Sequence, residues 1–269
     1  MSERLPDEFA AALAATVAER GAFGARLMYA TEVGSTNDLA AAAADRGAVE
    51  GTTFVAGAQT AGRGRLGRTW FSPPGAGLYL STIVRRASLA PWITLAGGLA
   101  VADGIRAATA LPLQIKWPND IVAVGGAGFR ARRKIAGILA EASSGPEGVS
   151  HVVLGVGINL RPAAFPPELA DRASAIETEL GRSADAGAVL AQVLAALHRT
   201  LAELQTAGPP RLFARWLALS PSAQGAPIEW DAGSETRSGT TAGLAEDGAL
   251  LARTRDGLER IVSGDVRWM

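Results

Sequence analysis

The stretch AGRGRLGRTW, residues 61–70, contains three arginines and three glycines within ten positions. It is the most distinctive segment of the sequence. Glycine lets a backbone approach a ligand closely, and guanidinium groups bind phosphate oxygens in pairs. The composition therefore predicts a phosphate site, although a solvated loop or an RNA-binding segment has a similar composition. A position between two predicted strands, next to Trp70 and Phe71, favours the phosphate site. The segment lacks the Gly-Lys-Ser/Thr ending of a P-loop.

The overall charge is balanced, because 26 lysines and arginines face 26 aspartates and glutamates. Any attraction to nucleic acid or lipid must therefore be local. The chain has no cysteine and only His151 and His198, which excludes disulfides, thiolate zinc sites, cysteine nucleophiles and histidine-cluster metal sites. The first 30 residues lack the basic start and apolar stretch of an export signal, and no run of about 18 apolar residues occurs. We expect a cytoplasmic protein that binds neither membrane nor nucleic acid.

Apolar spacing predicts helices and strands up to about residue 220. The predicted helices cover residues 7–20, 35–47, 92–109, 185–204 and 211–219. The predicted strands cover residues 52–59, 77–85, 132–143 and 151–160, and Pro118 divides residues 113–124 into strand, turn and strand. We expect strands 132–143 and 151–160 to be neighbours and the second, apolar on both faces, to be central.

From about residue 221 the pattern changes to short polar and apolar alternations with turn residues every eight to ten positions. This spacing is typical of a small β-barrel or sandwich. We therefore predict two domains, residues 1–220 and 221–269.

Three further segments carry chemistry-bearing residues. KWPND, residues 116–120, holds a lysine, an amide and a carboxylate at a strand end, which fits either a cleft or an ordinary turn. RKIAGIL, residues 133–139, places Lys134 beside small residues, although a lysine at a strand start is usually solvated. GVGIN, residues 155–159, has two glycines in a buried strand, which predicts a ligand close to the backbone.

The order of these segments resembles that of the biotin protein ligases over about residues 30–269. It runs from Ser35-Thr36-Asn37 through Gln59, GRGRLGRTWFSP, KWPND, RKIAGILAE and GVGIN to a terminal β region containing GDV. The resemblance implies an α/β catalytic domain, a mixed sheet flanked by helices like that of class II aminoacyl-tRNA synthetases, and a C-terminal SH3-like β-barrel. Many bacterial relatives carry a winged-helix DNA-binding domain before the Ser-Thr-Asn motif. Because 34 residues precede Ser35 here, we expect no repressor role.

The activity implied is ATP-dependent formation of biotinyl-5′-AMP, followed by transfer of biotin to a lysine of a biotin carboxyl carrier protein or domain. By resemblance the catalytic residues are Lys134, Arg63, Arg65 and Asp120. Lys134 would bridge the biotin carboxylate and the α-phosphate, and Asp120 would orient or deprotonate the acceptor lysine. The biotin-binding residues would be Ser35, Thr36, Asn37, Gln59, Gly62, Arg63, Lys134, Gly137, Gly155 and Gly157. The ATP-binding residues would be Arg65, Arg68, Trp70, Lys116, Asn119 and Asn159.

Several alternatives stay open from the sequence. The implied Mg²⁺ would be held mainly by phosphate oxygens and water, with no protein ligand assigned. A lipoate or octanoate ligase of the same fold is the nearest rival, and a non-enzymatic RNA-binding module is a more distant one. The chain fits a monomer or a homodimer equally, and it does not name the carboxylase subunit that accepts biotin.

Overall fold

A computed structural model describes residues 3–124, 132–146, 148–163, 165–233 and 235–269. Seven strands form a larger mixed sheet in the order β1-β2-β3-β7-β6-β5-β4, which confirms the predicted α/β class. Their bounds are β1 Leu27–Ala30, β2 Thr53–Ala56, β3 Gly77–Val84, β4 Leu113–Lys116, β5 Asp120–Ala123, β6 Lys134–Gly145 and β7 Gly148–Asn159. The pair β1 and β2 is parallel and the other pairs are antiparallel.

Helices pack on the larger sheet and on one another. They are α1 Asp7–Ala15, α2 Val17–Arg20, α3 Thr36–Asp45, α4 Ile93–Thr109, α5 Pro167–Ala170, α6 Ile176–Leu180, α7 Ala186–Ala207 and α8 Pro209–Leu219. The buried face of α7 carries apolar residues at helical spacing, including Val189, Val193 and Leu197, and packs on α4. At Gly104 of α4 an added Cβ would lie 2.5 Å from the Val193 Cα atom, so the two helix backbones approach closely because no side chain intervenes.

A second sheet of five antiparallel strands follows, as the resemblance implied. Its order is β11-β10-β9-β8-β12. The strands are β8 Gln224–Ala232, β9 Glu235–Leu244, β10 Leu250–Thr254, β11 Gly257–Ile261 and β12 Val266–Trp268. The chain passes between the two sheets near residue 220, where we divided it. The division into two domains stays a prediction, because side chains around the first sheet contact residues of the second sheet.

The central position of β7 and its pairing with β6 are confirmed. The predicted helix 7–20 is wrong as one helix, because it breaks at Thr16 (φ −113°, ψ 15°). There the Thr16 hydroxyl donates to the Ala12 carbonyl and accepts from Arg20, whose guanidinium also donates to the Leu13 carbonyl. The sequence analysis missed β1 and the two short helices α5 and α6.

Among the described residues, the helical stretch Ala87–Thr109 is long and apolar enough by composition to cross a membrane. Of its most apolar window, 67% is buried inside the fold, between the larger sheet and α7. This is the position of a core helix.

Candidate active site

A cavity of about 840 Å³ opens beside the middle of the larger sheet. Segments that are distant in sequence meet at its wall: the start of α3, the arginine loop (residues 61–70), the β4–β5 turn, β6, β7 and the C-terminal strand β12. Every site residue predicted from the sequence lines this cavity except Gly62. The predicted site residues, both the cationic ones and the small polar ones, therefore line the same cavity.

The first turn of α3 forms a polar wall that is almost fully buried. Ser35, at the N-cap position, and Thr36 and Asn37 after it are each less than 5% exposed. The Gln59 side-chain oxygen accepts from the Thr36 backbone N–H at 2.9 Å, and the Gln59 amide donates to Ser72 at 3.0 Å. These bonds fix the predicted ring-binding side chains before any ligand arrives.

Three glycines of β6 and β7 form the adjoining wall. A Cβ at Gly155 would lie 2.1 Å from the Asn37 Oδ1 atom, and one at Gly157 would lie 2.3 Å from the Trp70 ring. Gly137, which pairs with Gly157, also faces the Trp70 ring, at 2.9 Å. The glycines let the Asn37 and Trp70 side chains approach the strands, whereas the sequence pattern predicted that a ligand would do so. Within the described chain the Trp70 indole N–H is buried without a hydrogen-bond partner.

Lys134 lies at the centre of the cationic half of the cavity. Its Nζ atom is 2.6 Å from the Asp120 Oδ1 atom and 5.0 Å from the centre of the Trp70 ring. β5 pairs with β6 so that Asp120 stands opposite Gly137, which brings the carboxylate to the ammonium. An ion pair stacked on an aromatic face holds the lysine in a defined place.

Lys116 and Arg65 contribute further positive charge to the same half. Burial lowers the pKa of the Lys116 ammonium, and nearby Asp120 and Asp265 partly oppose that shift. Burial also lowers the pKa of the Arg65 guanidinium, which remains charged at neutral pH. Arg65 donates to the Asn119 side-chain oxygen at 3.3 Å, while the Asn119 amide donates to the Ile138 carbonyl at 2.8 Å.

Arg63 lies at the rim of the cavity and bonds outward. Its Nη2 atom is 2.7 Å from the Glu141 Oε2 atom and 2.8 Å from the Asp38 Oδ1 atom. The same Glu141 oxygen accepts from the Asn37 amide at 2.6 Å. One carboxylate thus joins the polar wall to the arginine loop.

The second sheet closes the end of the cavity where Arg68 lies, a residue that we predicted to bind ATP. The Arg68 Nη2 atom lies 3.0 Å from the Asp265 Oδ2 atom, and residues 264–269 line the cavity. Burial alone would raise the pKa of Asp265. The hydrogen bond and charge of Arg68, with the charges of Lys116 and Arg172, outweigh burial and lower that pKa.

Two predicted residues have surroundings that differ from our assignment. Gly62 lies outside the cavity lining, where a Cβ would come 2.6 Å from the Trp70 carbonyl oxygen, so it lets the ends of the arginine loop close on each other. Asn159 lines the cavity, but its amide donates to the Ser174 and Lys134 carbonyls at 3.0 and 3.3 Å. The Asn159 amide therefore binds the backbone of two segments and is not free to bind a nucleotide.

Sequence reasoning missed Glu141, Asp265 and Arg172, which the structure places at this site. Glu141 carried a usable signal, because it stands four residues after Gly137 and therefore on the same face of β6. Asp265 belongs to the GDV motif, to which we assigned no role, and nothing local marks Arg172. In the described part of the chain no group of three or more histidine, aspartate or glutamate side chains could hold a metal ion.

Comparison with known proteins gives two family matches. Residues 33–159 match the Biotin/lipoate A/B protein ligase family, and residues 231–267 match the Biotin protein ligase C terminal domain. A Biotin--[acetyl-CoA-carboxylase] ligase of Paracoccus denitrificans is 34% identical over 223 residues, covering 77% of this chain and 86% of the relative. A Bifunctional ligase/repressor BirA of Bacillus spizizenii is 34% identical over 254 residues, covering 90% of this chain and 74% of the relative.

Among solved structures, the biotin protein ligase from Aquifex aeolicus in complex with biotin and ATP superposes with a TM-score of 0.76. It is 29% identical, and the match covers 91% of this chain and 99% of that one. The likeness extends over both sheets.

Proposed function

The chain belongs to the biotin protein ligase family, and from that membership we propose that it activates biotin with ATP and biotinylates a carrier-domain lysine. The enzyme is a biotin ligase that forms biotinyl-5′-AMP. The observation that carries the proposal is the convergence of Lys134, Arg65 and Lys116 on the cavity that also contains the buried Ser35-Thr36-Asn37 wall. A neutral ring and a polyphosphate can therefore bind side by side.

The first step joins two anions, so positive charge has to be in place before they meet. A biotin carboxylate oxygen attacks the α-phosphorus, a new P–O bond forms, and the bond to pyrophosphate breaks. Lys134 is fixed between Asp120 and the Trp70 ring, which supports the proposal that its ammonium contacts both the carboxylate and the α-phosphate. We assign it the central catalytic role.

The biotin end is held by the α3 wall and the glycine wall. The ureido group of biotin has donors and acceptors, which match the hydroxyl and amide groups of Ser35, Thr36 and Asn37. Its apolar tail matches the side chain of Leu139 and the Trp70 ring in the cavity wall. This division between polar and apolar surface favours biotin over lipoate, which has no ureido group.

The second step requires a neutral lysine amine, although the free pKa of lysine is about 10.4. Asp120 is the carboxylate beside Lys134, and we propose that it takes the proton of the acceptor ammonium before the amine attacks the acyl carbon and AMP leaves. The acceptor is the carrier domain of a biotin-dependent carboxylase. We place the reaction in the cytoplasm, and the assembly as monomer or homodimer is left open.

Asp120→Asn tests this assignment while keeping the size of the side chain and an oxygen toward Lys134. We expect the rate of transfer from preformed biotinyl-5′-AMP to fall at least tenfold more than the rate of adenylate formation. Single-turnover assays of the two half-reactions measure this difference. Equal losses in both would remove Asp120 from the transfer step.

Magnesium is proposed as part of the ATP substrate. Of the carboxylates that line the cavity, Asp120 and Asp265 are each engaged by a cation, and among the described residues no three acidic or histidine side chains cluster to form a metal cage. This donor set fits a Mg²⁺ ion that enters on the phosphates of ATP and shields their charge.

Pyrophosphate exchange tests the proposed function. Biotin should support incorporation of labelled pyrophosphate into ATP, whereas lipoate and octanoate should not. Exchange with lipoate instead of biotin would favour the rival ligase. Absence of any exchange, together with salt-sensitive RNA binding, would favour the RNA-binding module.

A further inference from the structure

We infer that Arg172, which lies outside every motif of the sequence analysis, binds the departing pyrophosphate together with Lys116. The inference rests on the proposed function and deepens it.

The backbone around Arg172 is fixed to the start of β6. The Arg172 carbonyl accepts from the Lys134 N–H at 2.8 Å, and the Ser174 N–H donates to the Lys134 carbonyl at 3.0 Å. The Asn159 amide also links these two segments, because it donates to the Ser174 and Lys134 carbonyls. Arg172 is therefore presented from a rigid position directly beside the catalytic lysine.

The side chain of Arg172 is exposed and lines the cavity. Its charge acts on both Lys116 and Asp265, which places it at the end of the cavity where those two groups lie. Among the salt bridges between described residues none involves Arg172. By contrast, Arg63, Arg68 and Lys134 are each paired with a carboxylate.

The chemistry needs such a cation on the leaving side. When the α–β phosphate bond breaks, negative charge accumulates on pyrophosphate, and Lys134 is already held at the acyl side by Asp120. A guanidinium can bind two phosphate oxygens at once, whereas the Lys116 ammonium acts as a point charge. Arg172 and Lys116 together supply both kinds of contact.

The test uses the full-length enzyme with three variants. Arg172→Gln removes the charge, and Arg172→Lys keeps the charge but removes the two-pronged geometry. Arg133→Gln is the control for losing an arginine next to Lys134, because Arg133 is also exposed but lies outside the cavity lining, where its guanidinium is paired with Glu179 at 2.8 Å. Each is assayed for biotin-dependent pyrophosphate exchange, for biotin binding, and for transfer from added biotinyl-5′-AMP.

We expect Arg172→Gln to raise the KM for ATP and the KM for pyrophosphate in exchange about tenfold, the loss of one charge-assisted contact. Biotin affinity and transfer from added adenylate should stay at the wild-type values, Arg172→Lys should be intermediate, and Arg133→Gln should match the wild type. Unchanged KM values in Arg172→Gln would overturn the inference. Equal loss of both half-reactions in both Arg172 variants would also overturn it, by assigning Arg172 to the fold. A wild-type enzyme without biotin-dependent exchange would instead refute the proposed function.

Discussion

Each arginine of the loop 61–70 has a partner from a different part of the chain. Arg63 bonds to Glu141 of β6, Arg65 to Asn119 of the β4–β5 turn, and Arg68 to Asp265 beside β12. A loop with three glycines has little conformation of its own, so these contacts hold it over the cavity. A mixed anhydride hydrolyses readily in water, and we propose that the loop, held in this way, keeps solvent from it.

Arg65→Gly should let biotinyl-5′-AMP escape. The substitution removes the contact to Asn119 and a half-buried cation from the cavity wall, so adenylate release should rise tenfold or more. Mass spectrometry of a protein mixture incubated with enzyme, biotin and ATP would show biotin on many unrelated lysines. Labelling as selective as that of the wild type would contradict this role.

Lys116 should make ATP binding depend on pH in the alkaline range. Its pKa lies below the ordinary value of 10.5, chiefly because the ammonium is buried, and bound phosphates favour the charged form. Above the lowered pKa, ATP binding must therefore take up a proton, and affinity should fall as pH rises.

Lys116→Arg should abolish this proton uptake, because a guanidinium stays charged throughout the range. Calorimetric titrations with a non-hydrolysable ATP analogue, in two alkaline buffers of different ionisation enthalpy, count the protons. Identical proton uptake by the variant and the wild type would show that a group other than Lys116 takes up the proton.

At the scale of elements, the site depends on glycines that let side chains approach the central strands. Gly155→Ala would place a methyl group 2.1 Å from the Asn37 Oδ1 atom, so Asn37 must move away from Glu141 and the polar wall. We expect biotin affinity to fall about tenfold, as for an overpacked contact. Calorimetric titration with biotin measures the loss.

Gly98→Ala is the matched control for that experiment. Gly98 lies in α4 with its nearest neighbours 3.9 Å from an added Cβ, so alanine fits there. It should leave biotin affinity unchanged and stabilise the fold by about 0.5–1 kcal/mol. Wild-type biotin affinity in Gly155→Ala would show that the close contact to Asn37 is unimportant.

The sequence predicted those elements whose pattern is long or strongly apolar. Strands β3, β6 and β7 run for eight to twelve residues, and β7 is apolar on both faces because it is central. Strand β1 was missed because its four residues are all half-buried and show no alternation. The helices α5 and α6 were missed because four or five residues carry too little periodicity.

At the scale of the whole molecule, the two sheets are joined beside the active site. The buried Trp117 indole N–H donates to the Gly248 carbonyl at 3.0 Å, across 131 positions of sequence. Arg68 and Asp265, 197 positions apart, make a second link. The motifs could predict which residues enter the site, but not these partners, because contacts between distant segments leave no local pattern.

Trp117→Phe should lower the free energy of unfolding by about 1–3 kcal/mol, because it leaves the buried Gly248 carbonyl without its donor. Trp92→Phe is the control, since Trp92 donates to Glu246 in the same turn at 3.4 Å in a more exposed position. Its effect should stay within about 0.5 kcal/mol. Urea unfolding followed by circular dichroism measures both, and equal losses would contradict the structural role of the Trp117 bond.

The central claim is that cations from separate segments hold one acyl-adenylate in one cavity. Its most direct test is the amount of biotinyl-5′-AMP that stays with the enzyme after incubation with biotin and ATP and rapid gel filtration. The account predicts about one adenylate per chain for the wild type and little for a Lys134→Ala variant. Absence of retained adenylate in the wild type, or equal retention by that variant, would contradict it.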